Sequence, residues 1–108
     1  MCAFVLSVCP GFSADLPEVE MKIKSTPTDW NITLIWSVPD SMKSYEVLLV
    51  RKEKGFPESV TDGSVIYTGS GGKAVDNNLV ADTKYFYRFF FLDAGGKIIG
   101  RAGHKEKT

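Results

Sequence analysis

The sequence lacks an excess of charge of either sign and lacks a long apolar run. Lysine plus arginine and aspartate plus glutamate number 13 each, so the formal net charge is zero. A nucleic-acid binder needs a basic footprint, and anionic membranes attract basic proteins, so we expect neither partner. No stretch approaches the ~20 apolar residues that cross a bilayer. The sequence therefore predicts no transmembrane segment.

Cysteine and histidine are scarce. Both cysteines, Cys2 and Cys9, lie at the N-terminus, and His104 is the single histidine. The body of the chain has no disulfide framework, no zinc-type spacing and no cysteine nucleophile. Without a second histidine or a cysteine partner, His104 is expected to be a solvated surface residue. We expect no metal site and no cofactor.

No constellation typical of an enzyme is present. The glycine-rich segment at 69–73 is similar to a phosphate loop, but Tyr67 and Ala74 stand where that loop needs Gly and Ser or Thr. The remaining candidates are aspartates that we expect in turns, bonded to local backbone: Asp62, Asp76, Asp82 and Asp93. The sequence predicts no catalytic residue.

The N-terminal segment differs from the rest of the chain. Residues 1–14 are apolar and small, like the end of a secretory signal peptide, although no Lys or Arg precedes the apolar run. We interpret residues 1–16 as a signal-peptide remnant or disordered leader, which predicts a secreted, periplasmic or cell-surface protein. A loosely packed tail is the alternative. Lipidation of Cys9 is disfavoured, because Val8 is larger than the residue that a lipoprotein cleavage box carries.

From Pro17 onward, apolar and polar residues alternate with a period of two, broken by Gly, Pro and Asp. Ile32, Leu34 and Trp36 share one face of a strand. The longest pattern runs from Thr83 to Leu92. About seven short strands at such intervals are typical of an antiparallel, immunoglobulin-like sandwich. We predict one all-β domain at 17–105 and a tail at 106–108.

Several patterns resemble the fibronectin type III family over residues 17–104. They are Ile32-x-Leu34-x-Trp36, Tyr45-x-Val47-x-Leu49 and Leu79-x-x-x-Thr83-x-Tyr85. The resemblance implies the family's seven-stranded topology. It also implies a structural core that contains Trp36, Tyr45, Leu79 and Tyr85, with the Tyr85 hydroxyl bonded to upstream backbone as a tyrosine corner. The segment around Pro57 and Asp62-Gly63 is similar to the bacterial and archaeal branch, whereas Ala81 departs from the family's frequent proline.

The resemblance also places the third and sixth strands side by side in one sheet. If their odd-numbered residues face the core, their even-numbered residues face outward. The outward set includes Leu48, Val50, Phe86, Arg88, Phe90 and Leu92. An exposed apolar surface of this kind indicates a protein partner or self-association. The alternatives are cover by the leader, by the C-terminal tail, by Lys and Arg stems or by an adjacent domain.

These observations predict a non-catalytic, extracellular or cell-envelope protein-interaction module. A passive structural spacer in a larger secreted enzyme or surface protein is the alternative. A third possibility is a carbohydrate-contacting accessory module, since Trp30 precedes the second strand and an exposed indole can stack on a glycan. For Trp30 itself, packing in the core or at the end of the sandwich is the preferred interpretation.

Overall fold

The computed structural model describes residues 17–108, which form seven strands and one turn of 3-10 helix at Asp40–Met42. The strands are β1 (Lys22–Pro27), β2 (Ile32–Ser37), β3 (Glu46–Lys52), β4 (Ser64–Gly69), β5 (Lys73–Asp76), β6 (Lys84–Leu92) and β7 (Ile98–Lys107). All strand pairs are antiparallel. The predicted all-β, seven-stranded sandwich is confirmed.

The strands form two sheets that lie face to face. One has the order β1-β2-β5, and the other has the order β4-β3-β6-β7. In this arrangement β3 and β6 are neighbours, with Leu49 opposite Phe89. Each sheet contributes one apolar face to a shared core, as in other β-sandwiches.

The core contains the inward-facing residues of both sheets. Ile32, Leu34 and Trp36 come from β2, and the odd-numbered residues 85–91 come from β6; all are buried. The Trp36 ring meets Phe89 edge to face, with centroids 5.0 Å apart. Aromatic pairs of this geometry add about 0.5–1.5 kcal/mol beyond their buried area.

The four residues proposed for the structural core lie in the core or pack against it. Trp36, Leu79 and Tyr85 are buried, and Tyr45 is half-buried against the core. The backbone N–H of Val80 donates to the Tyr85 hydroxyl over 2.8 Å. This bond satisfies the polar end of a buried ring, which is the arrangement of a tyrosine corner.

Asp76 corrects one expectation from the sequence. It is the last residue of β5 and is buried instead of bonding its own turn. Its carboxylate accepts from Arg51 Nη1 at 2.7 Å and from the Tyr87 hydroxyl at 2.8 Å. Both donors belong to the four-stranded sheet, so the carboxylate of Asp76, which belongs to the three-stranded sheet, links the two sheets inside the sandwich. Asp93 does bond local backbone, accepting from the N–H groups of Gly95 and Lys97.

The described chain begins on the edge of β7. The Arg101 N–H donates to the Pro17 carbonyl at 3.0 Å, and the Val19 N–H donates to the Arg101 carbonyl at 2.7 Å. β7 itself continues to Lys107, so the predicted tail at 106–108 is wrong for its first two residues, which extend the sheet. The predicted leader at 1–16, with Cys2 and Cys9, lies outside the described residues. No helix within residues 17–108 is long and apolar enough to span a membrane.

Candidate interaction surface

The outer face of β3 and β6, which we predicted to be an exposed apolar surface, is largely buried. Val50 and Phe90 are fully buried, although both point away from the inter-sheet core. Leu48, Phe86, Arg88 and Leu92 are half-buried. That a partner binds this face stays a prediction for the half-buried residues only.

The segment between β3 and β4 supplies much of the cover. Phe56 packs edge to face on Phe86 with centroids 5.0 Å apart, and Pro57 is fully buried. Arg88 holds this segment in two ways. Its guanidinium lies 4.8 Å from the Phe56 ring centroid, and its Nε donates to the Pro57 carbonyl at 3.2 Å. The sequence marked this segment only as a loop, because Gly and Pro indicate a turn without showing where the turn folds.

A close approach from β7 adds to this cover. A Cβ on Gly103 would lie 3.1 Å from a Phe56 ring carbon and 3.2 Å from Arg88 Nη1. Glu18 pairs with Arg101 at 2.7 Å and approaches Arg88 at 3.9 Å. Burial lowers the pKa of Arg88, and the Arg101 charge lowers it further, whereas Glu18 and Glu58 raise it. The outer face of the four-stranded sheet is therefore mostly occupied by the protein's own side chains.

The opposite outer face, on β1-β2-β5, is open. We call it the lysine face and define it as Lys22, Lys24, Ile35, Lys73 and Val75. The strand register places Ile35 directly between Lys24 and Lys73, and Val75 beside it opposite Thr33. Ile35 is 51% exposed and Val75 is 43% exposed. Ile35 therefore lies between two lysine side chains, and the partly exposed Val75 lies next to it.

The charge of the lysine face is of one sign. β1 and β2 contain no acidic residue, and the only acid of β5 is Asp76, which points inward to Arg51. None of the three lysines forms an ion pair with another residue in the 17–108 range. A chain with zero net charge therefore presents a local positive surface with an apolar centre.

Trp30 corrects another expectation. It lies in the β1-β2 turn and is 65% exposed instead of packing in the core or at the end of the sandwich. Its carbonyl accepts from the Leu79 N–H at 2.9 Å, which places the 64%-exposed Val80 in the adjoining loop. Thr28 fixes the turn, because its Oγ1 accepts from the N–H groups of Trp30 and Asn31. This end of the sandwich presents an aromatic and an aliphatic side chain on ordered backbone.

The glycine-rich turn at 69–72 lies at the other end. It borders a cleft of about 380 Å³ that is also lined by Trp36, Lys43 and Tyr45. The Gly71 N–H donates to the Tyr67 hydroxyl at 2.6 Å, and the Gly72 carbonyl accepts from the Trp36 N–H. These backbone groups are used inside the fold, whereas a phosphate loop directs its N–H groups at the ligand.

His104 is half-buried, so its expected solvation is wrong. Its Nε2 lies 2.8 Å from the Ser25 hydroxyl oxygen, and that hydroxyl also donates to Glu106. A hydroxyl has one proton, so His104 Nε2 must carry the hydrogen that it shares with Ser25. The imidazole therefore does not accept the serine proton, as a base activating a nucleophile would. Among residues 17–108, no group of three or more His, Cys, Asp or Glu side chains is placed to hold a metal.

Comparison with known proteins gives the class of fold. No family model matches the chain, and no curated protein matches it. Solved structures do match, and several of them are fibronectin type III domains. A human domain from the KIAA0970 protein has a TM-score of 0.64 at 15% identity, covering 89% of this chain and 76% of that one. The FN5 domain of Drosophila Lar has a TM-score of 0.53 at 22% identity, covering 86% and 97%.

A third similar structure is the d3-d4 region of the rat CD45 extracellular region. Its TM-score is 0.63 at 19% identity, covering 86% of this chain and 50% of that chain. The present chain therefore spans half the length of that two-domain fragment. Together these likenesses show an immunoglobulin-like β-sandwich, and more particularly the fold of a fibronectin type III domain.

The lysine face was not identified from the sequence, although part of its signal was visible. Lys22 and Lys24 alternate with inward apolar residues, which already assigns both to an outer face. Ile35 is an apolar residue between the polar Thr33 and Ser37 on the outer parity of β2. What joins these residues to Lys73 is the pairing of β2 with β5, a contact between segments about forty residues apart.

Proposed function

We propose that this chain is a non-catalytic protein-interaction module of an extracellular or cell-envelope protein, of the fibronectin type III family, and that the lysine face is its contact surface. The observation that carries the proposal is the pair Ile35 and Val75, which are exposed side by side, with Ile35 between Lys24 and Lys73. Contiguous exposed apolar surface that is rimmed by polar residues marks sites of protein interaction.

The residues of the lysine face indicate the kind of protein that it would bind. Three ammonium groups favour a partner that carries carboxylates at the rim of the contact, and Ile35 and Val75 favour an apolar centre. Charged rims speed association and exclude wrong partners, while the buried centre supplies most of the affinity. We therefore propose an acidic protein surface with an aliphatic or aromatic anchor.

A comparison of variants tests this function. Native extracellular or envelope material is passed over the immobilised wild-type chain, over the charge-reversal variant K22E/K24E/K73E and over the apolar variant I35S/V75S. A matched control, K54E/K84E/K97E, makes the same change in net charge at exposed lysines outside the face. We expect an acidic protein that the wild type and the control retain and that both face variants lose.

The purified partner then provides a direct check. Amide resonances of β1, β2 and β5 should shift on titration, and raising the salt concentration should slow association. Retention that is equal in all variants, or lost equally in the control, would refute the lysine face as the contact surface.

A passive spacer is the second candidate, and a different observation favours it. Trp30 and Val80 are exposed at the end of the sandwich where the β1-β2 and β5-β6 loops lie next to Thr108. A neighbouring domain that packs on this end would bury both side chains. In that case W30A would increase flexibility between domains in the longer protein, as measured by small-angle scattering, without changing partner binding.

A further inference from the structure

The two sheets have four edge strands, and three of them are protected. β1 carries Lys22 and Lys24 and ends at Pro27, and β5 is only four residues long, with a charge at each end. β7 is partly paired with the chain at Pro17–Val19 and is rich in charge after Gly100. Charges, proline, short length and added cover are the usual means of preventing pairing between edges.

Within the described part of the chain, β4 lacks charge, proline and added cover, and its one protection is the bulge at Ile66. Its sequence, SVIYTG, contains no charge and no proline, and its residues favour strands. Val65 is 54% exposed, and Thr68 is exposed as well. Its one strand partner is β3, and no further hydrogen bond from the described residues reaches the backbone of Ser64–Thr68. The outward-facing N–H and C=O groups of this edge are therefore available.

We propose that β4 pairs with the β4 strand of a second copy of this chain. Antiparallel pairing of two identical edges is a two-fold contact, in which each position meets a position of the same strand. Because β4 carries no charge, no like charges meet across that axis. Such a contact would join two four-stranded sheets through backbone hydrogen bonds, and β-branched and aromatic cross-strand pairs would add to it.

The geometry also predicts that the contact is short and reversible. The register of β3 against β4 shifts between Leu49 and Val50, which bends the edge locally. A brief ladder buries little area, so the dimer should form only as concentration rises. The contact lies on the other sheet from the lysine face, so it does not depend on the proposed function.

Sedimentation velocity over a wide concentration range tests the dimer. Reducing buffer prevents Cys2 and Cys9 from linking chains. Wild type should shift from monomer towards dimer, while V65K/T68K and V65E/T68E should each stay monomeric because like charges then oppose across the axis. An equimolar mixture of these two variants should recover the dimer, since Lys now faces Glu. The control N77K/V80K places two lysines at exposed positions away from β4 and should dimerise as wild type does.

Amide exchange of the wild type gives a measurement that needs no variant. Protection of Ser64–Thr68 should increase with concentration, while that of β1 should not. A wild type that is monomeric at every concentration overturns the proposal. So does a V65K/T68K variant that dimerises like wild type, or a mixture that fails to recover the dimer while both variants keep native circular dichroism.

Discussion

At the scale of single residues, Asp76 shows how the interior accepts a charge. Burial raises the pKa of Asp76, while the Tyr87 hydroxyl and the Arg51 guanidinium oppose that rise. Burial and the bond to Asp76 in turn raise the pKa of Tyr87, so Tyr87 stays a neutral donor. Arg51 is further held over the Tyr85 ring at 5.6 Å. The carboxylate thus satisfies a phenol and a guanidinium that would otherwise be left without a partner.

Asp76→Ala should therefore be strongly destabilising, by about 3–5 kcal/mol, because it leaves the partners of a buried pair uncompensated. Asp62→Ala is the matched control. Asp62 also accepts a hydrogen bond from a cation, Lys52 at 2.9 Å, but both side chains are about one-third exposed. Asp62→Ala should therefore lower the free energy of unfolding clearly less than Asp76→Ala does. Urea unfolding measures both. Equal losses in the two variants would contradict a special role for the buried carboxylate.

The same residue marks a limit of prediction from sequence. The parity of β6 was predictable from the pattern that resembles a tyrosine corner, because a buried Tyr85 also directs Tyr87, Phe89 and Phe91 to the core. For Asp76 the sequence predicts a turn, since Asp is common in turns and no neighbouring residue indicates a buried partner. Its partners lie 25 and 11 residues away along the chain. Whether a polar residue such as Asp76 is buried depends on which distant strands pack against it, and a single sequence does not reveal that packing.

At the scale of elements, the segment between β3 and β4 explains why the predicted apolar surface is covered. Phe56 is the side chain through which this segment contacts both β6 and β7. Phe56→Ala should lower the free energy of unfolding by about 1–3 kcal/mol, because it uncovers Phe86 and removes the ring under Arg88. Trp30→Ala is the control, since Trp30 is also an aromatic residue of a loop but is mostly exposed. Its effect should stay within about 0.5 kcal/mol.

Thermal or urea unfolding of the two variants shows whether Phe56 stabilises the protein by covering the outer face of β6. Increased binding of an apolar dye to Phe56→Ala would show that the face beneath has opened. If Phe56→Ala is as stable as Trp30→Ala and binds no more dye than wild type, the segment does not act as a cover. The partner-binding prediction for Leu48 and Phe86 would then regain its basis.

At the scale of the whole molecule, the two sheets are also joined at the edge where β1 meets β7. Ser25 belongs to the three-stranded sheet, and His104 and Glu106 belong to the four-stranded sheet. Burial lowers the pKa of His104, and the Glu106 charge partly opposes this. The neutral imidazole is therefore the form that the folded protein favours. His104 is the only histidine in the chain, so its titration can be isolated.

The sign of the pH effect follows from where protons bind. In the unfolded chain His104 takes up a proton near its ordinary pKa of 6.5, whereas in the folded protein it does so at lower pH. Between these values the unfolded state holds more protons, so stability is full above pH 6.5 and declines as the pH falls. His104→Gln keeps an amide donor for Ser25 but cannot titrate. Its unfolding free energy should therefore decline less than that of wild type between about pH 7.5 and pH 5.5.

Glu106→Gln provides the opposing variant. The amide oxygen still accepts from Ser25, but the charge that favours the imidazolium is lost, so the pKa of His104 should fall further. The decline of stability towards acid pH should then be steeper than in wild type, and His104→Gln in the same background should remove the difference. Urea unfolding at several pH values measures all four proteins. An identical decline in wild type and His104→Gln would show that the contact between β1 and β7 does not sense pH, and that carboxylates elsewhere account for the acid sensitivity.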